Sequence, residues 1–218
     1  MIYSFSALKQ FKTCPRQFAE IKVWKRIAPQ KTLATDYGVR AHTAFEDFIV
    51  KGTPLPADMS SQQEFIDAIA ALPGDKHCEV KHGLTRDMQP VDFFAPNVAI
   101  RGLADLTIRR PDVSVVVDYK SGKDKYPDMS QLELMALMEF ALRPEIDVIR
   151  GALLFFIAGT SRNGEWRREQ IPTLWAGWLA AMDRADRAIE ANVFQEKPSG
   201  LCRGWCPVHT CDHYEEKK

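Results

Sequence analysis

Residues 98–122 read Val-Ala-Ile-Arg-Gly-Leu-Ala-Asp-Leu-Thr-Ile-Arg-Arg-Pro-Asp-Val-Ser-Val-Val-Val-Asp-Tyr-Lys-Ser-Gly, and this stretch decides the fold. Two runs rich in Val, Ile and Thr, 98–110 and 113–119, flank the turn chemistry of Arg110-Pro111-Asp112, which predicts a β-hairpin. The second run ends in Asp118-Tyr119-Lys120, and the period of two puts the carboxylate and the ammonium on one face. A turn about Pro111-Asp112 sets a register in which Asp105 lies opposite Asp118. Two carboxylates opposed across a ladder repel unless a cation sits between them, so the hairpin implies a bound divalent ion beside Lys120. Oxygen donors suit Mg²⁺ or Mn²⁺, and such an ion can clamp a phosphate and acidify a water. The bland alternative is a surface Asp–Lys pair at a strand end. Gly102, three residues before Asp105, favours a strand that something approaches closely.

Working outward, strands are predicted at 77–86, 148–157 and about 164–171. Helices are predicted from Ser6, as N-cap, to about Lys25 with Pro15 marking a break or a new first turn, and from about Thr32 to Val50. The second of these carries Tyr37, Ala41, Ala44, Phe45 and Phe48 on one face and stops at Lys51-Gly52. Ser61-Gln-Gln-Glu64 reads as a capping box opening a third helix. A helix apolar nearly all round is expected over 130–142, and an amphipathic one over 173–191. This order predicts an α/β protein with a mixed central sheet flanked by helices.

The 218 residues suit one domain, with a helical part at 1–75, a sheet core at 77–191 and an irregular, cysteine-rich tail at 198–218. No apolar run reaches membrane-spanning length and the start lacks a secretory h-region, so a cytoplasmic location is expected. The 29 basic and 29 acidic residues cancel, but residues 1–31 hold Lys9, Lys12, Arg16, Lys22, Lys25, Arg26 and Lys31 against Glu20 alone. This basic arm is either a solvated helix face or a nucleic-acid contact. Cys202-x₃-Cys206-x₄-Cys211, in a reducing compartment, reads as a metal site rather than a disulfide framework.

In order, Gly38-Val-Arg-Ala-His42, Gly102-Leu-Ala-Asp105, Asp118-Tyr-Lys120 and Gln131-Leu-Glu-Leu-Met135 resemble the four motifs of RecB-like nucleases in the PD-(D/E)xK superfamily. The start, Ser4 to Pro15, resembles that branch's N-terminal motif, so the likeness spans nearly the whole chain. The resemblance implies a restriction-endonuclease-like core and a metal-dependent DNA exonuclease acting on linear DNA ends, similar to CRISPR-associated and phage stand-alone exonucleases. It implies His42, Asp105, Asp118 and the Tyr119 carbonyl as ligands of Mg²⁺ or Mn²⁺, Lys120 as the residue that orients the attacking water, and Gln131 as a positioning group. Where the family usually has Tyr, this chain has Met135, which neither donates a hydrogen bond nor stacks as Tyr does.

The resemblance also supplies Cys14 as a fourth thiolate with Cys202, Cys206 and Cys211, around a [4Fe–4S] cluster or, as the alternative, Zn²⁺. Such a clamp ties the basic arm to the tail as a wall that favours threading of a DNA end. It leaves Cys78 as a small buried hydrophobe. Trp24 and Trp205 are candidates for stacking a single strand, with packing as the alternative, and Glu79 and His82 are outer site candidates, with a solvated face as theirs. A recombination or CRISPR-type protein partner fits the resemblance. The rival functions are a structure- or single-strand-specific endonuclease, a catalytically silent DNA-binding or assembly subunit, and a zinc structural module.

Overall fold

A computed structural model of the protein describes residues 1–28, 33–122, 124, 125 and 127–216; Lys31 of the basic arm and the expected helix start at Thr32 lie outside the described residues. The elements in chain order are β1 (Tyr3–Ser4), α1 (Phe5–Thr13), α2 (Pro15–Phe18), α3 (Leu33–Lys51), α4 (Gln63–Ala70), β2 (Asp75–Leu84), β3 (Pro90–Val91), β4 (Ile100–Arg109), β5 (Val113–Lys120), α5 (Ser130–Leu142), β6 (Val148–Phe155), β7 (Thr160–Arg167) and α6 (Ile171–Ala191). Two compact units are formed, one by residues 1–31 with 176–218 and the other by residues 32–175. None of the described helices is long and apolar enough to cross a membrane.

In the first unit the expected helix from Ser6 begins two residues earlier, because Ser4 rather than Ser6 caps it and accepts the Ala7 N–H at 3.3 Å. Pro15 opens a new helix at its first position, where its missing N–H is harmless. The chain then widens into a π turn over Ala19–Val23. Glu20 is buried and meets Arg16 at 2.9 Å and Arg26 at 3.6 Å, and both guanidinium groups lie over the Trp24 ring. Two of the arm's seven cations are therefore satisfied internally. Trp24 itself packs edge-on against Phe194 and donates to Asn192, which is the packing role. Trp205 is 67% exposed.

The second unit holds a mixed sheet in the order β3-β2-β4-β5-β6-β7. The β4–β5 hairpin is antiparallel with Leu106↔Val117 and Arg109↔Ser114, the register read from the turn. β5 and β6 run parallel, as a crossover through α5 requires, and β7 returns antiparallel. β7 spans 160–167 rather than about 164–171, because residues 168–170 turn as a 3₁₀ segment into α6. α3 ends where Gly52 adopts φ 68, a left-handed cap that glycine takes without a steric penalty. The capping box at Ser61–Glu64 does not form: a 3₁₀ turn occupies 57–62, Ser61 bonds the Gln62 side chain, and α4 starts uncapped.

One face of the sheet packs on α3 and α4 through Ala41, Phe45, Ile66, Leu106, Ile108, Val117 and Tyr119. The other lies under α5, which is buried nearly all round as its composition demands. Its one buried carboxylate, Glu139, takes a bidentate bond from Arg109 at 2.8 and 2.9 Å and a third from Ser114. Burial opposes ionisation there, but those partners hold the Glu139 pKa below the usual carboxylate value. Cys78 is half-buried against the α3 core, and burial pushes its thiol up to about 11.

Candidate metal and phosphodiester site

The site grows out of a defect in the sheet. The β4–β5 ladder stops at Leu106↔Val117, one rung before Asp105 and Asp118 would pair, so the expected direct opposition of those residues does not occur. The Asp105 carboxylate instead accepts the Tyr119 N–H through Oδ2 at 2.7 Å, standing in for a main-chain carbonyl. On the other side of β4, the ladder with β2 is interrupted between Cys78↔Leu106 and Val80↔Ala104. The residue skipped there is Glu79, whose φ of 50 is left-handed and strained for a residue with a Cβ. Both strands flip their side-chain parity at this rung, which turns Glu79 and Asp105 together.

His42, from the middle of α3, completes the group. A ring nitrogen of His42, a Glu79 oxygen and an Asp105 oxygen lie within 4.8 Å of one another. His42 Nδ1 is 3.4 Å from Asp105 Oδ1, and Nε2 is 3.1 Å from the Tyr119 carbonyl. Gly38, one turn earlier, lets α3 come close to the chain after β5, since a Cβ there would stand 3.1 Å from the Ser121 hydroxyl. Asp118 and Lys120 lie on the α5 side of β5. Gln131 Nε2 donates to Asp118 Oδ1 while its Oε1 accepts from Lys120 Nζ at 2.8 Å. Lys120 Nζ is also 2.6 Å from Asp118 Oδ2, so the two residues form a close ion pair.

The electrostatics are those of several carboxylates held close together. Burial, and then the Asp105 charge, push the Asp118 pKa up to about 6 in spite of Lys120. Burial, Asp105 and Glu46 raise Glu79. Burial alone would lower His42, but the hydrogen bond and charge of Asp105, the charge of Asp118 and the Tyr119 carbonyl raise it. Three groups, His42, Glu79 and Asp118, thus hold protons more tightly than usual around the Asp105 carboxylate. The donor set, carboxylates, an imidazole and a backbone carbonyl, fits Mg²⁺ or Mn²⁺.

Glu79 was legible only as an outer candidate, because nothing in the sequence announces a strand distortion at a glutamate. His82 proves to be neither a site member nor solvated: it is 3% exposed and pairs in register with Gly102. Gly102 is approached not by a ligand or backbone but by α5, where a Cβ would lie 2.6 Å from the Met138 sulfur and closer still to the Met135 methyl. In the other unit, Cys14, Cys202, Cys206 and Cys211 are all free and half-buried. Cys206 accepts from the Gln17 amide at 3.6 Å, and burial first, then the neighbouring Cys14 and Cys202, raise its thiol above the usual value. No three of the four sulfurs lie within 4.8 Å of one another.

Fold and site define an α/β protein whose mixed sheet is interrupted on both sides of β4 around a candidate acidic metal centre. The family model of the PD-(D/E)XK nuclease superfamily matches residues 2–211, and the chain belongs to that superfamily. A crystal structure from Eubacterium rectale, of a protein provisionally named an exonuclease, superposes with a TM-score of 0.53 at 15% identity, covering 97% of this chain and 86% of that one. The structure of the protein SSO0001 gives 0.46 at 14% identity, covering 96% and 86%. No curated protein matches in sequence.

Proposed function

We propose that the protein is a divalent-metal-dependent DNA exonuclease that hydrolyses phosphodiester bonds from DNA ends. The observation that carries this reading is the convergence of His42, Glu79 and Asp105, from α3, β2 and β4, beside the Asp118–Lys120–Gln131 network of β5 and α5. His42, Asp105, Asp118 and the Tyr119 carbonyl would hold the ion, with Glu79 as an added ligand. When bound, Mg²⁺ or Mn²⁺ supplies Lewis-acid polarisation of the phosphate and a water of lowered pKa.

The chain's own residues do the rest. Gln131 bridges Asp118 and Lys120 and so fixes both, leaving the Lys120 ammonium as a positioned charge where negative charge develops on the phosphate. His42 faces the Asp105 carboxylate with Nδ1 and the Tyr119 carbonyl with Nε2, contacts that favour its protonated form, and it would have to be neutral to serve as a ligand. Among the described residues the structure has one such centre, which suits cutting one strand at a time.

The same proposal assigns Cys14, Cys202, Cys206 and Cys211 to a [4Fe–4S] cluster, in which each thiolate binds a different iron and the sulfurs stand wider apart than on zinc. Their presence in one unit and the approach of Cys14 and Cys202 to Cys206 support it. Anaerobically purified protein is expected to contain iron, and one zinc without iron overturns the assignment.

The deciding experiment incubates the protein with end-labelled linear DNA and with circular DNA, in Mg²⁺ or Mn²⁺, with and without EDTA. Loss of label from linear DNA only, abolished by EDTA and by Asp118→Ala, is the expected result. Circles cut as fast as linear DNA would replace the reading with an endonuclease, and no cleavage in any metal would remove catalysis altogether.

A further inference from the structure

Beyond the strand distortion at Glu79 and Asp105, the face of β2 and β4 that α5 leaves uncovered carries Lys81, Arg101 and Leu103. Ile100, Gly102, Ala104, His82 and Leu84 point the other way and are buried or covered by α5. Against this open face the connection after β3 sets Phe93 and Phe94, edge to face with ring centroids 5.1 Å apart. Phe94 is 68% exposed, an uncommon position for a phenylalanine.

Arg101 lies over both rings, at 5.0 Å from Phe93 and 5.3 Å from Phe94, and Lys81 lies 5.7 Å from Phe94. Lys81 is close enough to Glu79 for its charge to lower that carboxyl's pKa, and Arg101 Nε is buried without a hydrogen-bond partner. The connection is held firmly. The Phe94 N–H bonds the Asp92 side chain, Ala99 N–H returns to Leu84, and a Cβ on Gly83 would meet the Val91 and Asp92 carbonyls at 2.9 and 3.1 Å.

We infer that Phe93, Phe94, Arg101 and Lys81 form a stacking platform for an unpaired DNA strand, next to the metal centre. Exposed aromatic faces bind bases, and cations beside them bind the connecting phosphates without reading sequence. Duplex bases offer no free face, so the platform selects single strands or frayed ends. Its place fits delivery: Lys81 and Leu103 are two residues from Glu79 and Asp105, about 7 Å along each strand. A strand lying on the phenylalanines therefore runs toward the carboxylates within a few nucleotides. The inference rests on the nuclease reading of the neighbouring site for its purpose, though not for its binding chemistry.

The test is fluorescence anisotropy of a labelled single-stranded oligothymidine in EDTA, where nothing is cut. Phe94→Ala is expected to weaken binding about tenfold, and Phe94→Tyr to keep it within about twofold. An abasic strand of the same length should not distinguish Phe94→Ala from the native protein. Arg101→Gln and Lys81→Gln should each flatten the dependence of log affinity on log salt by about 0.7. Native affinity in Phe94→Ala and Arg101→Gln overturns the proposal, as does a change in sedimentation of Phe94→Ala with unaltered DNA binding, which would mark a protein contact. Cleavage by the native protein is scored apart. A platform effect without any cleavage supports the platform while removing the catalytic reading, and cleavage without a platform effect does the reverse.

Discussion

Asp105 Oδ2 accepts the main-chain N–H of Tyr119 at 2.7 Å, one rung beyond the last paired residues of the β4–β5 hairpin. A side chain thereby closes a ladder that the main chain has left open, and its other oxygen remains turned toward His42. The strands can part at this point without orphaning a buried donor. One carboxylate thus has both a structural and an electrostatic role, and the two are separable by substitution.

Asp105→Asn keeps an acceptor for Tyr119 but loses the charge, so its thermal midpoint should stay near that of the native protein while calorimetric Mn²⁺ binding disappears. Asp105→Ala loses both, and leaving the Tyr119 N–H unsatisfied costs about 1–3 kcal/mol. Equal stability of the two variants would show that the hydrogen bond does not hold the opening.

Metal affinity should rise with pH. Asp118, Glu79 and His42 all have raised pKa values, Asp118 reaching about 6, and each must lose its proton before a cation binds. For stability without metal the sign is reversed. A folded pKa above the unfolded 3.8 means that the Asp118 contribution is present below that pH and lost as pH rises through about 6. Asp118→Asn should therefore raise the melting temperature in EDTA at pH 7.5 and abolish the increase that Mn²⁺ gives the native protein. A variant less stable than the native protein in EDTA would contradict the assigned strain.

The hairpin register, the all-round burial of α5 and the apolar stripe of α3 were legible because each follows from local periodicity and one turn. What escaped the sequence depends on distant strands. The pairing of β2 with β4 crosses a long connection with no turn to fix its register, so Glu79 could not be set beside Asp105. The Gln131 bridge required the crossing of α5 over β5, which helical periodicity does not specify. His82 stood as an outer site candidate or part of a solvated face for the same reason: without the pairing to Gly102, its neighbours were unknown.

Gly102 and Met135 form a matched pair. A methyl group at position 102 would enter the space held by the Met135 and Met138 thioethers, both buried, so Gly102→Ala should destabilise by about 1–3 kcal/mol through overpacking. Methionine ends are flexible, and trimming one makes room. The double variant Gly102→Ala with Met135→Ala should then lose less than the sum of the two single variants in denaturant unfolding. Strict additivity would show that the sulfur contacts do not govern this position.

The last prediction concerns acid stability and His82. Both its ring nitrogens are buried without a partner, and burial pushes its pKa down to about 4, with Glu139 opposing and Arg109 reinforcing that shift. The unfolded side chain titrates near 6.5, so between that pH and about 4 the unfolded chain binds a proton that the folded chain refuses. The contribution is therefore complete above 6.5 and is lost as pH falls toward 4. A shift of this size amounts to about 3 kcal/mol over the window. His82→Leu removes the titration while keeping an apolar side chain under α5, and it also removes two unpaired polar atoms, so it should not destabilise at pH 7.5. Guanidinium chloride unfolding of both proteins at pH 7.5 and pH 4.5 reads the effect, because titrating groups remote from His82 cancel in the difference and only Glu139, whose pKa His82 helps to lower, is altered with it. The variant should gain on the native protein by roughly 2–3 kcal/mol at the lower pH. An equal separation of the two proteins at both pH values would mean that His82 finds a partner or solvent in the folded state, and the buried neutral imidazole would have to be given up.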